Sequence, residues 1–214
     1  ESLDAVVISS PHSMHYEQAR YALSRGLHVL VEKPLTISSR HTKALIRLAD
    51  NGNRILVVSY QRNYYAPHVY ARELVQTGAI GELRGVVSYV TQNWGGVGGW
   101  RLMPELAGGG MFMDTGSHLV ASTLWVTGLR PLEVSAFMDN AGKAVDLNAV
   151  VNVRFKSGAC GSLNTFGNAS VHDERIAIHG SDGCIVFHLH GWRVSEVLVD
   201  DQPMQIPRRI GEDS

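Results

Sequence analysis

The sequence predicts an α/β protein in which half of a doubly wound parallel sheet is followed by an α+β unit with an open, mostly antiparallel mixed sheet. Strand-like and helix-like segments alternate over the first sixty residues, which is typical of βαβ units. After Thr127 only strand-like segments follow. One early apolar run ends in a charged pair and a proline, at the edge where such sheets bind ligands. We therefore predict two domains, residues 1–60 and residues 61–214.

The first domain consists of three predicted strands and two predicted helices. In chain order they are a strand from Asp4 to Ser9, a helix from Ser13 to Gly26, a strand from Val29 to Val31, a helix from Ser38 or Ser39 to Gly52, and a strand from Arg54 to Ser59. The helices are indicated by apolar residues at helical spacing and by a glycine at the end of each. The second strand then follows the first as a parallel neighbour across a helical crossover.

The stretch from His28 to Leu35 joins a strand to charged residues. Val29 to Val31 is β-branched and apolar without alternation, which predicts a strand buried on both faces of a parallel sheet. Pro34 ends the strand, because proline lacks the N–H that the sheet needs. Glu32 and Lys33 should therefore lie at the carboxyl edge of the sheet. The tripeptide alone is equally compatible with an ordinary solvated lysine.

The second domain is predicted to contain two helices and a series of strands. The predicted elements are a helix from Tyr64 to Gly78, a strand from Leu83 to Gln92, an irregular glycine-rich stretch from Asn93 to Arg101, a helix from Met111 to Thr127, and strands at Leu132–Met138, Asn148–Phe155, Cys160–Phe166, Arg175–His179, Cys184–His190 and Val194–Val199. A run of strands after one helix favours an α+β unit. Apolar residues alternate along one strand, at Val151, Val153 and Phe155, so the open sheet needs a cover for its second face. We expect assembly into a homodimer or homotetramer through that face.

A second informative stretch is Gly108-Gly109-Gly110 followed by Asp114 and His118. If a helix begins near Met111, the two polar residues are four apart and share one helical face. A carboxylate beside an imidazole can hold a general base near neutral pH. A plain surface ion pair on a helix has the same spacing and is the alternative explanation.

Composition excludes several classes of protein. The net charge is −1 and the isoelectric point is about 6.9, so neither a nucleic acid nor an anionic membrane is an expected partner. The two cysteines, Cys160 and Cys184, lack the spacing of a metal site or a disulfide framework, and we expect no metal. No apolar run is long enough to cross a membrane, and we expect a cytoplasmic protein.

These stretches together resemble the Gfo/Idh/MocA family of NAD(P)-dependent oxidoreductases, which includes glucose-fructose oxidoreductase and inositol dehydrogenases. The residues that carry the resemblance are Asp4-Ala5-Val6-Val7-Ile8 with Pro11 and His15, the run Gly26 to Leu35 with Glu32-Lys33-Pro34, and Trp100-Arg101 with Gly108-Gly109-Gly110, Asp114 and His118. The resemblance implies a Rossmann domain followed by an α/β domain on an open mixed sheet. It also implies NAD or NADP as the cofactor, and a sugar, polyol or related small molecule as the substrate.

The resemblance implies roles for individual residues. It implies Lys33, Asp114 and His118 as catalytic residues, Ser10, Pro11, His15, Glu32, Lys33, Pro34 and Arg62 as cofactor contacts, and Tyr64, Trp94, Trp100 and Arg101 as further substrate contacts. In that interpretation His118 takes the hydroxyl proton and Asp114 orients it. Lys33 then stabilises the developing alkoxide.

The chain departs from the family at both ends. It starts where the family's fourth strand would start, and the phosphate-binding GxGxxG turn is absent. We therefore expect an internal portion of a longer enzyme, and cofactor binding by these residues alone is left open. Two alternatives to a dehydrogenase follow from the resemblance: an NAD-dependent glycosidase of the same family, and a non-catalytic cofactor-sensing or structural member.

Overall fold

The computed structural model describes residues 3–190 and 193–204. The α-helices are α1 (His15–Ser24), α2 (Ser39–Gly52), α3 (Ala66–Gln76), α4 (Pro104–Ala107) and α5 (Ser117–Thr127). The strands are β1 (Ala5–Ile8), β2 (His28–Val31), β3 (Leu56–Val58), β4 (Leu83–Asn93), β5 (Pro131–Asp139), β6 (Asn148–Phe155), β7 (Cys160–Phe166), β8 (Asn168–Gly180), β9 (Cys184–His190), β10 (Arg193–Val199) and β11 (Gln202–Pro203). A π-helical turn at Phe112–Gly116 leads directly into α5.

The strands of the described residues form two sheets. The first has the order β1-β2-β3 and is parallel throughout. The second has the order β11-β10-β9-β8-β4-β7-β6-β5, in which β4 and β7 run parallel and the other neighbours antiparallel. The predicted fold class, a parallel α/β unit followed by a mostly antiparallel mixed sheet, is confirmed.

Helices α1 and α2 pack on the same face of the parallel sheet. Leu23 of α1 and Leu45 of α2 share one apolar cluster with Val29 and Val31 of β2. Within residues 3–190 and 193–204 no helix covers the opposite face, where Leu30 is 40% exposed. Among these residues the predicted burial of β2 on both faces is therefore corrected to burial on one face.

Helices α3 and α5 pack on one face of the larger sheet. Val151, Val153 and Phe155 of β6 are buried there beneath Leu124 of α5 and its apolar neighbours. This corrects the argument for an oligomer, because a helix of the same chain already covers these three side chains. The open face instead carries the alternate residues of each strand, including Phe137, which is 79% exposed.

The segment between the two sheets runs past the helices of the second one. Residues Gln61–Tyr64 form a 3₁₀ turn after β3. Within it, the Arg62 guanidinium donates two hydrogen bonds to the Glu174 carboxylate on β8, one of them at 3.0 Å. Both side chains are almost completely buried, so this ion pair fixes the connector to the larger sheet.

Candidate active site

Lys33 lies immediately after β2, at the carboxyl edge of the parallel sheet. The chain turns there at a cis peptide bond between Lys33 and Pro34. The Lys33 Nζ donates to the Asp114 Oδ1 atom at 2.5 Å and to the Asp114 backbone carbonyl at 2.9 Å. Asp114 is 81 residues away in sequence, so this contact joins the edge of the first sheet to the helix that covers the second.

Asp146 positions the glycine-rich turn that precedes Asp114. Its carboxylate accepts hydrogen bonds from the backbone N–H of Gly110 at 2.7 Å and of Phe112 at 2.9 Å. A Cβ atom on Gly110 would lie 1.9 Å from the Asp146 carbonyl oxygen, so only glycine permits this approach. The π-helical turn that follows carries Asp114 inward; such turns occur often at functional sites. The predicted helix from Met111 is thus confirmed in extent but begins with this wider winding.

The Asp114 side chain accepts hydrogen bonds from three other parts of the chain. Besides Lys33, Trp94 Nε1 donates to its Oδ2 at 3.1 Å and Arg101 Nε donates to the same oxygen at 3.3 Å. His12 Nε2 lies 3.6 Å from Oδ1. Burial opposes the charged carboxylate, but the attraction and hydrogen bond of Lys33, with the Trp94 and Arg101 contacts, hold the pKa of Asp114 below its usual range. Asp114 is therefore an anion that anchors Lys33.

His118 lies about one helical turn after Asp114, at the start of α5, and is 6% exposed. Burial, followed by the positive charges of Lys33 and Arg62, lowers its pKa to about 3, although Asp114 opposes this effect. The imidazole is therefore neutral at physiological pH. The expectation of a base near neutral pH is corrected, because burial and the charges of Lys33 and Arg62 outweigh the attraction of Asp114. That Asp114 orients His118 stays a prediction.

His15 lies beneath the edge of the sheet and not on its surface. It is fully buried, and its ring nitrogens contact the carbonyl oxygens of Pro34 at 2.9 Å and of Ser10 at 2.8 Å. The expected direct contact with a cofactor is therefore corrected: His15 joins the loops after β1 and β2. Ser10 and Glu32 line the small cavity at this edge, and Pro11 begins the 3₁₀ turn beside it.

Two other predicted contacts are placed differently. Arg62 is 2% exposed because its guanidinium is buried against Glu174, which leaves little surface for a cofactor. Tyr64 is 68% exposed and is not among the residues that line the two cavities around Lys33. The 3₁₀ turn is compatible with both results, since its three residues per turn place side chains two positions apart in different directions.

A cavity of about 610 Å³ brings the three predicted catalytic residues together. Its lining comprises Lys33, Gln61, Gln92, Asn93, Trp94, Val97, Arg101, Asp114, Thr115, His118, Ser170 and His172. A smaller cavity of about 110 Å³ adjoins it through shared residues and is lined by Ser9, Ser10, His12, Glu32, Lys33, Trp100, Arg101 and Asp114. Trp94 and Arg101 line the larger cavity and Trp100 lines the smaller one; that they contact a substrate stays a prediction.

Several residues of these cavities were not predicted from the sequence. His12 follows β1 at the same carboxyl edge as Lys33, so its position relative to the strand could have identified it. Gln92 is buried at an inward position near the end of β4, and the alternation along the strand could have predicted this position. Ser170 and His172 belong to the polar first half of β8, which carries no strand signal of its own.

Neither a metal site nor a membrane span is found in the part of the chain that the structure describes. Within residues 3–190 and 193–204, no three histidine, cysteine or acidic side chains come together as metal ligands would. No helix among these residues is long and apolar enough to cross a membrane.

Two family models match the chain. Residues 1–60 match an oxidoreductase family with an NAD-binding Rossmann fold. Residues 68–186 match the GFO/IDH/MocA C-terminal domain. Together the two matches cover the parallel sheet and the larger sheet as far as the start of β9.

Individual relatives agree with the family models. The D-xylose 1-dehydrogenase (NADP(+)) 2 of Haloferax volcanii is 34% identical over 164 residues, which are 74% of this chain and 49% of the relative. The aldose-aldose oxidoreductase of Caulobacter crescentus, solved with glycerol, has a TM-score of 0.87 at 25% identity. The match covers 96% of this chain and 64% of the oxidoreductase chain. A levoglucosan dehydrogenase solved with NADH and levoglucosan has a TM-score of 0.81 at 26% identity, over 92% of this chain and 56% of its own. The chain spans about half the length of the curated relatives it matches.

Proposed function

Because this chain belongs to the Gfo/Idh/MocA family of oxidoreductases, we propose that it carries the catalytic centre of an NAD(P)-dependent dehydrogenase acting on a hydroxyl or carbonyl group of a sugar, polyol or related compound. The observation that carries the proposal is the meeting of Lys33, Asp114 and His118 in one cavity of about 610 Å³. An ammonium, a carboxylate and a neutral imidazole are the groups that proton transfer to and from a hydroxyl requires.

Lys33 stabilises negative charge on the substrate oxygen. An ammonium has three N–H donors, and two of them are used by Asp114. The third is left for a ligand in the cavity that Lys33 lines. Since Asp114 fixes the nitrogen from two sides, this donor is already aimed before substrate binds, which is the basis of electrostatic stabilisation of an alkoxide.

His118 accepts the hydroxyl proton when the alcohol is oxidised and returns it when the carbonyl is reduced. Its lowered pKa keeps the ring neutral and able to accept a proton at neutral pH. The protonated ring would lie near the cations Lys33 and Arg62, so the proton has to leave again quickly.

The carboxyl edge of the parallel sheet fits the ring end of a nicotinamide dinucleotide. The smaller cavity offers hydroxyl groups from Ser9 and Ser10, the carboxylate of Glu32 and the indole of Trp100. These supply donors and acceptors for a carboxamide and a flat surface for a ring. A bound nicotinamide supplies the hydride acceptor or donor for the carbon that bears the substrate oxygen. Ser10, Pro11, Glu32 and Pro34 are the residues of this chain that would hold it.

The substrate is proposed to be a small polar molecule. The larger cavity combines an apolar wall at Trp94 and Val97 with polar side chains such as Gln61, Gln92 and Asn93. Several fixed amides around one apolar surface suit a sugar ring, which has both hydroxyl groups and apolar C–H faces.

The proposal is tested by cofactor binding and by turnover. NADH and NADPH are titrated against the protein by fluorescence, and a panel of sugars and polyols is then screened for NAD(P)-dependent turnover. Lys33→Met and His118→Ala should lower kcat by about 10²- to 10⁴-fold. Lys43→Met on α2 and His179→Ala on β8, both at exposed positions, serve as matched controls. If either active-site variant stays within a few-fold of the parent, its assigned role is wrong.

A further inference from the structure

His12 is a buried histidine that the proposed mechanism does not use. It is 3% exposed and lies on the 3₁₀ turn after β1, where its ring packs edge-on against Trp100 with centroids 4.7 Å apart. Its Nε2 atom is 3.6 Å from Asp114 Oδ1. The same oxygen accepts the hydrogen bond from Lys33 at 2.5 Å.

The surroundings of His12 determine which of its nitrogens carries a proton. Nδ1 lies 2.9 Å from the Ala107 carbonyl oxygen. A carbonyl only accepts hydrogen bonds, so Nδ1 is the protonated nitrogen. In the neutral ring Nε2 therefore presents a lone pair towards Asp114, and it offers the carboxylate no hydrogen bond. Protonation of Nε2 would convert this contact into a second ion pair at Oδ1.

We propose that His12 is a positioning residue for the Lys33–Asp114 pair. When the His12 ring is neutral, Asp114 Oδ1 accepts its hydrogen bond from Lys33 alone. When Nε2 is protonated, Oδ1 also binds His12 and is partly withdrawn from Lys33. The proposal rests on the proposed function for its catalytic consequence, but the protonation event itself does not require turnover. The only change in covalent bonds is the gain of one solvent proton at Nε2. Asp114 Oδ1 then interacts with two cations, Lys33 and His12, and the Lys33 nitrogen is held less firmly.

The charged groups around His12 act in opposite directions. Asp114 favours the protonated ring, whereas Lys33 and the neighbouring His15 disfavour it. Burial is the largest effect, and together these groups lower the pKa of His12. Glu32 lines the small cavity beside the ring, and so does Arg101, which stacks on Trp100.

The remaining charged group near His12 belongs to α4, the helix that supplies the Ala107 carbonyl. Its Glu105 is exposed to solvent. The ring is therefore neutral at neutral pH. On acidification the His12 ring becomes protonated, and a proton can reach it through the small cavity that it lines.

The first test follows protonation directly, by NMR of the 214-residue chain labelled with ¹⁵N in histidine and lysine. The chain has 4 lysines, so the Lys33 Nζ signal can be assigned with Lys33→Met and the His12 signals with His12→Asn. We expect a neutral His12 with the proton on Nδ1 at about pH 7.5. As the pH is lowered from about 7.5, the Lys33 signal should shift in step with His12 protonation. In His12→Asn that shift should vanish.

A proton on Nε2 of the neutral ring, or a Lys33 shift that persists in His12→Asn, would overturn the proposal. His12→Phe guards against a trivial folding defect, because it keeps a ring against Trp100 and removes the titrating nitrogen. Both variants should give the same pH-independent Lys33 signal. Asp114→Asn provides the matched control: it replaces the shared carboxylate by a neutral amide, so a protonated His12 no longer gains an ion pair at Oδ1. His12 should still titrate, and the Lys33 signal should no longer follow it.

The second test uses turnover and separates this proposal from the proposed function. In the parent, kcat should fall on the acid side as His12 becomes protonated; in His12→Asn this fall should move to lower pH by at least about half a unit, a change that a purely structural role would not produce. An unchanged acid limb contradicts the proposal. A protein that turns over no sugar or polyol contradicts the proposed function instead, and the NMR result then decides the role of His12 alone.

Discussion

His68 should make the protein markedly less stable in acid. Its ring is completely buried on α3 and stacks on Phe187, with centroids 5.0 Å apart. Within the described chain, neither of its nitrogens has a hydrogen-bond partner. Burial, together with the positive charge of Arg62, lowers the pKa of His68 from 6.5 to about 3. The native state therefore resists a proton that the unfolded chain accepts.

The sign and the size of the effect follow from proton linkage. Because the folded pKa lies below the unfolded one, the free energy of unfolding falls as the pH drops below about 6.5 and stops falling near pH 3. Between about pH 7.5 and about pH 5, one such histidine costs about 2 kcal/mol. His118 has the same lowered pKa of about 3 and should cost a similar amount. The two residues together account for about 4 kcal/mol in the parent protein.

The assay is urea unfolding followed by circular dichroism at both pH values. His68→Phe keeps an aromatic ring against Phe187 and removes the titrating group, so its loss of stability between the two pH values should be about 2 kcal/mol smaller than that of the parent. Phe187→Leu is the matched control. It should lower stability by about 1 kcal/mol at both pH values and keep the pH dependence of the parent. Equal acid losses in the parent and His68→Phe would refute the reasoning.

Three further perturbations have defined outcomes. Arg62→Met should lower the free energy of unfolding by about 3–5 kcal/mol, because it leaves the Glu174 carboxylate buried without its main partner. Adding Glu174→Leu should restore part of this loss in urea unfolding. A double variant as unstable as the single one would contradict the assignment. Gly110→Ala should cost about 2 kcal/mol or more and lower kcat, since its Cβ would collide with Asp146, and parental values of both would show that the turn tolerates a side chain. If the protein assembles through the open face of the larger sheet, Phe137→Asp should shift its mass in light scattering towards the monomer, and an unchanged oligomer would place the interface elsewhere.

The sequence predicted the fold well where each segment carries its own signal. The strands Asn148–Phe155, Cys160–Phe166 and Cys184–His190 were predicted with the bounds that the structure has, because alternating apolar residues are bounded by clear turns. Strand β8 was predicted as Arg175–His179 but begins at Asn168. Its first half is polar and is ordered by pairing with β4, for instance Thr91 with Asp173, and local propensity contains no information about a partner so distant in sequence.

The same distinction applies to the site. Lys33, Asp114 and His118 stand in motifs that are local in sequence, and the structure brings them into one cavity. The burial of Arg62 was not foreseeable, because its partner Glu174 is 112 residues away. His118 was located correctly, but its pKa depends on charges that only the folded chain brings near it.

The contact between Lys33 and Asp114 also connects the parallel sheet to the part of the chain that packs on the larger sheet. A hydrogen bond between His12 and the Ala107 carbonyl is a second such connection. Evolution therefore has limited freedom at this carboxylate, since a replacement that altered the chemistry would also loosen the docking of one half of the protein on the other. New substrate preferences should arise more readily on the β8 wall of the cavity, around Ser170. Lys33 and Asp114, the proposed catalytic pair, should persist across such changes partly because they hold the two sheets together.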